Sequence, residues 1–193
     1  ATSNSNAGIK VGQPYINYNS YALMHDSGSN FLAVQNASDL YSIDAGTGVW
    51  TSLGGLDDGS KGLVTIGSDV YSLASSSAEL NKIDPTDGSN LAKITITLAG
   101  ESVQGGHGLA YDAANDILYA VIRVSGGDRH LTTLDPATGV ATNIGTLSDK
   151  FSSLAFDSTT DTLYGITGNG ADVPSTLYSI DPTDASTTLV WSG

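Results

Sequence analysis

One five-residue phrase occurs four times in this chain and limits its fold more than any other feature. It reads LYSID at 40–44, LNKID at 80–84, LTTLD at 131–135 and LYSID at 177–181. The final aspartates are 40, 51 and 46 residues apart, and each is followed by a turn segment, AGTG, PTDG, PATG or PTDA. A repeat of this length indicates one supersecondary unit copied along the chain, so that similar neighbours pack on each other.

Each copy contains four short apolar segments separated by turn residues. Two apolar segments precede the phrase, as in GLAYDAANDILYAVI (108–122) and SLAFDSTTDTLYGIT (153–167), with shorter versions at 22–34 and 62–73. The phrase itself is the third segment, and a fourth follows the turn. Within the turns, Gly48, Gly88 and Gly139 stand where a positive φ is required. The unit is therefore predicted to be four antiparallel strands in about 45 residues, the size of a propeller blade.

The combined pattern L-x-[YF]-D…LY…L-x-x-[IL]-D-P-x-T-G resembles the repeats of bacterial extracellular β-propellers of the YVTN/NHL-like kind. The resemblance covers residues 21–193 and implies an all-β, four-bladed β-propeller of hemopexin-like size, each blade a four-stranded antiparallel sheet. The blades are predicted at about 21–56, 57–100, 101–147 and 148–193. An alternative is half of an eight-bladed ring that a second chain completes.

Apolar residues at matching repeat positions are predicted to form the core between blades. On the innermost strand these are Leu23, Leu63, Leu109 and Leu154. On the second strand they are Val70, Leu118 and Leu163, with Phe31 as the fourth.

Composition excludes several classes of partner and chemistry. The net charge of −13 with only seven lysines and arginines argues against nucleic acid and against an anionic membrane surface. Cysteine is absent, which excludes disulfides and thiolate ligands. The small residues of ATSNSNAG at the start resemble the end that a signal peptidase leaves, so we expect a secreted, extracellular or cell-surface protein.

Residues 1–20 are left over once four blades are counted, and we expect them to form an extended arm or extra strand. Ile9, Val11, Tyr15 and Ile16 carry its apolar alternation, and Pro14 confines it to an edge. The arm either completes its own propeller or docks on a neighbouring subunit by β-augmentation. The predicted acceptor is a flat edge in LAKITITLAG (91–100), with these apolar positions: Ile94, Ile96 and Leu98.

A polar ring is predicted around one mouth of the propeller channel. The repeat alignment places Tyr21, Lys61, His107 and Ser152 just before the innermost strand of each blade. Such a ring can bind a ligand, including a glycan, and it can equally be a solvated rim. The three histidines fall at different repeat positions, so a three-histidine zinc site is not expected.

Aspartates flank the first turn of two blades in the same way, as Asp112/Asp116 and Asp157/Asp161. A Ca²⁺ ion bound by such a pair is one interpretation, and no other cofactor is expected. Carboxylates that accept backbone N–H bonds within turns are the alternative.

No catalytic residues are predicted. SIDAGTGVW (42–50) resembles the Asp-box of sialidase-type propellers, yet Arg123 and Arg129 are the chain's two arginines, one fewer than a sialidase needs. A G-x-S-x-G elbow is also absent. We therefore expect a non-enzymatic structural or interaction protein, a self-assembling subunit of an extracellular filament or surface layer linked through the arm. The alternative is a lectin-like module that binds carbohydrate or calcium.

Overall fold

The computed structural model describes residues 20–25 and 30–192, and every regular element in these ranges is a β-strand. None of the described residues forms a helix long and apolar enough to cross a membrane. The strands are, in chain order, β1 (Ser20–His25), β2 (Asn30–Gln35), β3 (Asp39–Asp44), β4 (Trp50–Gly55), β5 (Ser60–Ile66), β6 (Asp69–Ala74), β7 (Glu79–Ile83), β8 (Asn90–Thr95), β9 (Thr97–Leu98), β10 (Val103–Asp112), β11 (Ile117–Val124), β12 (Arg129–Leu134), β13 (Val140–Thr146), β14 (Phe151–Asp157), β15 (Thr162–Thr167), β16 (Thr176–Ile180) and β17 (Thr187–Ser192).

These strands form four antiparallel sheets, each built from one sequence repeat, and the predicted all-β, four-bladed propeller is confirmed. Sheet 1 is β1–β4, sheet 2 is β5–β8, sheet 3 is β10–β13 and sheet 4 is β14–β17, with neighbouring strands paired in sequence order. The short strand β9 is the exception, because it leaves sheet 2 and pairs in parallel with β13 of sheet 3. Residues 1–19, with the arm residues Ile9, Val11, Tyr15 and Ile16, lie outside the described part.

The turn between the third and fourth strands has the same construction in every sheet. The first aspartate of the turn accepts a bond at its backbone oxygen from the residue four positions later, at 2.7–2.9 Å. That later residue has a positive φ in all four sheets, at Gly48, Gly88, Gly139 and Ala185. The glycine prediction is confirmed, and the fourth copy holds the same conformation with an alanine. The turn therefore dictates the backbone more strongly than the side chain does.

The sheets pack face to face in order, and the same pair of faces meets at each contact. The front face of one sheet, which carries Leu40, Leu80 or Leu131, meets the rear face of the next, which carries Leu63, Leu109 or Leu154. Three hydrophobic clusters result, joining sheet 1 to sheet 2, sheet 2 to sheet 3 and sheet 3 to sheet 4. Among the described residues no such cluster joins sheet 4 to sheet 1.

The core prediction consequently does not hold at the two outermost faces, the rear face of sheet 1 and the front face of sheet 4. Leu63, Leu109 and Leu154 are 5%, 5% and 7% exposed, whereas Leu23 at the same repeat position is 63% exposed. Phe31 is likewise only half-buried, although Val70, Leu118 and Leu163 are buried as predicted. The prediction that Leu23 lies in the core is wrong, because no sheet of the described residues packs on the rear face of sheet 1.

Candidate functional site

A β-bulge interrupts the innermost strand of every sheet at the same repeat position. The pairing register shifts between Ser60 and Gly62, between Gly106 and Gly108, and between Phe151 and Ser153. The same shift occurs in β1, between Ser20 and Ala22. The extra residues are the four predicted for the channel mouth: Tyr21, Lys61, His107 and Ser152. The four positions are therefore equivalent in the backbone, and at Lys61, His107 and Ser152 the bulge also changes the direction of the side chain.

Lys61 and His107 are accompanied by two arginines that the sequence prediction did not place at the mouth. Arg123 pairs with Gly105 at the start of β10, and Arg129 pairs with Arg123 across the β11–β12 hairpin. Burial lowers the pKa of Lys61 most, and the positive charges of Arg129 and Arg123 lower it further. Four basic side chains, from two innermost strands and one hairpin, therefore share one region.

His107 is the most buried member of this group. Its side chain is 4% exposed, and neither ring nitrogen has a hydrogen-bond partner. Burial lowers the pKa of His107 to about 3, and the positive charges of Arg129, Lys61 and Arg123 act in the same direction. The imidazole is therefore neutral at pH 7, with one N–H donor and one acceptor nitrogen left unpaired.

The arginines are held in place by backbone carbonyls rather than by acids. Arg123 donates from Nη2 to the carbonyl oxygen of Gln104 at 3.0 Å, and Arg129 donates from Nη1 to the carbonyl oxygen of Phe151. The Nε of each guanidinium is buried without a partner. Within the described residues neither arginine forms an ion pair, and Asp149 is the acid whose charge reaches Arg129. The region is rich in donors and poor in acceptors.

Ser152 has a local role in this arrangement. Its hydroxyl donates to the backbone oxygen of Ile166 at 3.3 Å, which closes the bulge of β14 onto β15. Tyr21 stands at the equivalent backbone position in β1. Ligand binding by the ring Tyr21, Lys61, His107 and Ser152 stays a prediction.

The first aspartate of each pair in the first turns accepts hydrogen bonds from its own turn. The buried carboxylate of Asp112 accepts from the Ala114 backbone at 3.0 Å and from the Asn115 side chain at 2.7 Å. Asp157 accepts from the Thr159 backbone and the Thr160 hydroxyl, both at 2.8 Å.

The second members of these pairs, Asp116 and Asp161, have positive φ values of 56° and 53°. In the described ranges no cluster of three or more His, Cys, Asp or Glu side chains has a metal-binding arrangement. The Ca²⁺ prediction for these four aspartates therefore stays a prediction, beside turn roles that are observed.

The proposed acceptor edge differs from the prediction in its geometry. Strand β8 ends at Thr95, and the following residues cross to sheet 3, where Thr97 pairs with Val140 and Leu98 with Ala141. Ile96 and Leu98 are buried and Ile94 is half-buried. The segment 91–100 is thus not one flat exposed edge, because its second half already pairs within the chain. An acceptor role is left to β8 alone.

Two apolar faces remain as the larger candidate surface. The front face of sheet 4 carries Ile166, 39% exposed, where Val34, Leu73 and Val121 are fully buried in the other sheets. Leu177 on the same face is half-buried, where the matching leucines of β3, β7 and β12 are fully buried. The rear face of sheet 1 carries the exposed Leu23. We call these the open front face and the open rear face.

Comparisons with known proteins identify the fold alone. No family model matches the chain, and no curated protein matches it either. Among solved structures, a structural-genomics protein of unknown function from Bacteroides thetaiotaomicron VPI-5482 has 16% identity and a TM-score of 0.61, with 88% of this chain and 42% of that chain covered. The extracellular domain of a hybrid two-component system from B. thetaiotaomicron has 14% identity and a TM-score of 0.56, over 94% and 24% of the two chains.

A third similar structure, Myxococcus xanthus glutaminyl cyclase, has 14% identity and a TM-score of 0.61 over 91% of this chain and 75% of that chain. The chain therefore spans less than half of the first two structures that it resembles.

Proposed function

We propose that this chain is a non-enzymatic, extracellular structural module that assembles head to tail with further copies of itself. The observation that carries the proposal is the contrast between Leu23, 63% exposed, and Leu63, 5% exposed, at the same position of consecutive sheets. The likeness to extracellular domains supports the location. The assembled form is an extracellular filament or surface layer, in which residues 1–19 add a second link between subunits.

The open faces are the two unlike halves of a contact that the chain already makes three times. Between sheets the front face always meets a rear face, and the open front face of sheet 4 and open rear face of sheet 1 form such a pair. A second copy of the chain supplies both halves. Burying one leucine of this kind contributes about 1.5–3 kcal/mol, so restoring several per contact favours association.

A contact between unlike faces is heterologous, which determines the form of the assembly. It generates a closed ring when the rotation between copies closes, and an open filament when it does not. The net charge of −13 opposes both outcomes, because every copy repels the next. Salt screens this repulsion, so assembly is expected to strengthen as ionic strength rises.

The test is sedimentation of the purified chain over a range of concentrations, with negative-stain images of the largest species. The wild type should form species larger than a monomer, and Leu23→Asp and Ile166→Asp should each return it to the monomer. Val140→Asp is the matched control, because Val140 is 52% exposed but lies on β13, outside both open faces and outside the predicted acceptor strand β8. Removal of residues 1–19 separates the contribution of the arm.

Three outcomes would count against assembly through the open faces. A wild type that stays monomeric at high concentration and high salt would contradict the proposal. So would a Val140→Asp variant that dissociates as readily as Leu23→Asp. If only the truncation dissociates the assembly, the arm is the link and the open faces are not.

A further inference from the structure

The distribution of positive charge in this chain is unusual for its composition. The chain has seven lysines and arginines among 193 residues and a net charge of −13. Three of the seven, Lys61, Arg123 and Arg129, nevertheless lie around the buried His107. Elsewhere Lys82 and Lys93 are paired with carboxylates, at 2.7 Å from Asp69 and 2.9 Å from Asp58. In a chain rich in acids, Arg123 and Arg129 of this cluster thus form no ion pair within the described ranges.

Clustered cations repel one another, and their burial adds to the unfavourable energy. The pKa of Arg129 is lowered by burial and by Arg123, and the pKa of Lys61 is lowered by burial and by both arginines. Four polar atoms of the cluster are buried without hydrogen bonds: Nδ1 and Nε2 of His107, Nε of Arg123 and Nε of Arg129. Native proteins rarely leave such atoms unpaired, since each one forfeits its hydrogen bond to water.

The backbone is built to place these side chains at the mouth. Lys61 and His107 are bulge residues on adjacent innermost strands, and Ser152 is the bulge residue on the next. The arginines approach from the hairpin at the same end of sheet 3. The arrangement therefore does not depend on flexible surface lysines, and a buried imidazole with unpaired nitrogens lies at its centre.

An anion can satisfy the unpaired donors of His107, Arg123 and Arg129. Carboxylate, sulfate and phosphate offer several acceptor oxygens, and guanidinium groups bind them with two parallel N–H bonds. The neutral imidazole adds one N–H donor. Residues 1–19 contain no aspartate or glutamate, so the arm cannot supply this negative charge from its own side chains.

We propose that Lys61, His107, Arg123 and Arg129 form a binding site for a small oxyanion, a carboxylate, sulfate or phosphate group, at the mouth of the propeller. The bound group accepts from the guanidinium and ammonium donors and from the imidazole N–H. The site is independent of the proposed assembly, because it lies on the innermost strands and uses none of the open-face residues.

The test is titration of the full chain, observed by the imidazole resonances of His107 in nuclear magnetic resonance and by calorimetry. Sodium sulfate, sodium phosphate and sodium glucuronate are added in separate series at constant ionic strength, with sodium chloride as the balance. The three series separate an inorganic anion from the carboxylate of a sugar. At least one should give saturable binding with a shift of the His107 resonances.

Variants then assign the site. Lys61→Gln and Arg123→Gln should each weaken binding at least tenfold. Lys82→Gln removes the same charge from an outer part of sheet 2 and should leave the affinity within twofold of the wild type. Lys61→Gln is the decisive variant, because Arg123 and Arg129 also support the backbone at Gln104 and Phe151.

A stability measurement gives a readout that a purely structural role would not produce. Without anion, Lys61→Gln should raise the melting temperature, because it relieves repulsion among the cations. With saturating anion, the wild type should gain stability by mass action and the variant should gain less. The proposal is overturned if none of the three anions moves the His107 resonances beyond the chloride control. It is also overturned if Lys82→Gln weakens binding as much as Lys61→Gln.

Discussion

A Cβ atom on Gly108 would lie 2.9 Å from the backbone nitrogen of Leu154, so the innermost strands of sheets 3 and 4 approach each other at a residue without a side chain. Gly62 stands in the same relationship to Leu109 of the next sheet, at 3.0 Å. Ser153 occupies the matching place in sheet 4, on which no further sheet packs among the described residues, and Ala22 occupies it in sheet 1. The close approach thus excludes a side chain in sheets 2 and 3, whereas sheet 1 accommodates a methyl group.

The first prediction concerns this contact. Gly108→Ala should lower the free energy of unfolding by about 1–3 kcal/mol, because the added methyl group meets backbone atoms that cannot move aside easily. Ser153→Ala at the open front face should change it by less than about 0.5 kcal/mol. Urea unfolding followed by circular dichroism measures both values. Equal effects of the two variants would show that the strand contact does not limit side-chain size.

The second prediction compares the same leucine in two sheets. Leu63→Ala should lower the free energy of unfolding by about 2–5 kcal/mol, because it leaves a cavity between sheets 1 and 2. Leu23→Ala should have little effect in a dilute, monomeric sample, since Leu23 is largely exposed. At concentrations where the wild type assembles, Leu23→Ala should become destabilising as well. Thermal unfolding at several protein concentrations distinguishes the two cases.

The third prediction concerns the aspartate of the turns between third and fourth strands. Asp135 accepts from the Thr138 hydroxyl at 2.6 Å and the Ala137 backbone at 2.8 Å, and these bonds lower the pKa of its carboxyl. Its contribution to stability is therefore present above the unfolded-state pKa of 3.8 and is lost as pH falls through the lower folded-state value. Asp135→Asn should be less stable than the wild type at pH 7, and the gap should narrow below pH 3.

Chemical unfolding of both proteins at pH 7 and at pH 2.5 checks this expectation. A gap of constant size at the two pH values would mean that the charge of Asp135 has no part in the turn.

The fourth prediction is a pH dependence caused by His107. Its pKa of about 3 lies below the ordinary value of 6.5, so the unfolded chain binds a proton between these limits that the folded chain does not. Stability therefore falls as pH is lowered from 6.5 towards 3, with a slope of at most about 1.4 kcal/mol per pH unit from this group. His107→Gln should have a shallower slope between pH 6.5 and 4.5, a window above the aspartate transitions.

Denaturant unfolding at half-unit pH steps supplies the slopes. Adding a saturating oxyanion should raise the pKa of His107 and reduce the wild-type slope, whereas a slope identical in wild type and variant would place the pH dependence in other groups.

The sequence was sufficient for the fold because each repeat carries its own turn chemistry. The Asp-x-x-x-Gly turns and the apolar alternation specify strand order within a sheet, and the repeat alignment even selected the bulge positions of Lys61 and His107. Arg123 and Arg129 were missed as mouth residues for the opposite reason. They belong to the β11–β12 hairpin, in which β11 has eight residues where the matching strands β2, β6 and β15 have six each, so alignment of the copies gave them no shared position.

The exposure of Leu23 could not be derived from the repeats. Equivalent repeat positions predict equivalent environments only when every sheet has a neighbour on both faces. The residues of sheet 1 do not themselves indicate whether another sheet packs on its rear face. The acceptor edge failed similarly, since Thr97 and Leu98 look like the end of an outer strand until their partners in β13 are known.

The pairing of β9 with β13 makes the linkage between sheets 2 and 3 unlike the other two. There, backbone hydrogen bonds join the end of the sheet 2 segment to sheet 3. Sheets 1 and 4 are held to their neighbours mainly by side-chain packing. A pulling force applied at the two ends of the molecule would accordingly unfold sheets 1 and 4 first. Sheets 2 and 3 would remain together and unfold last.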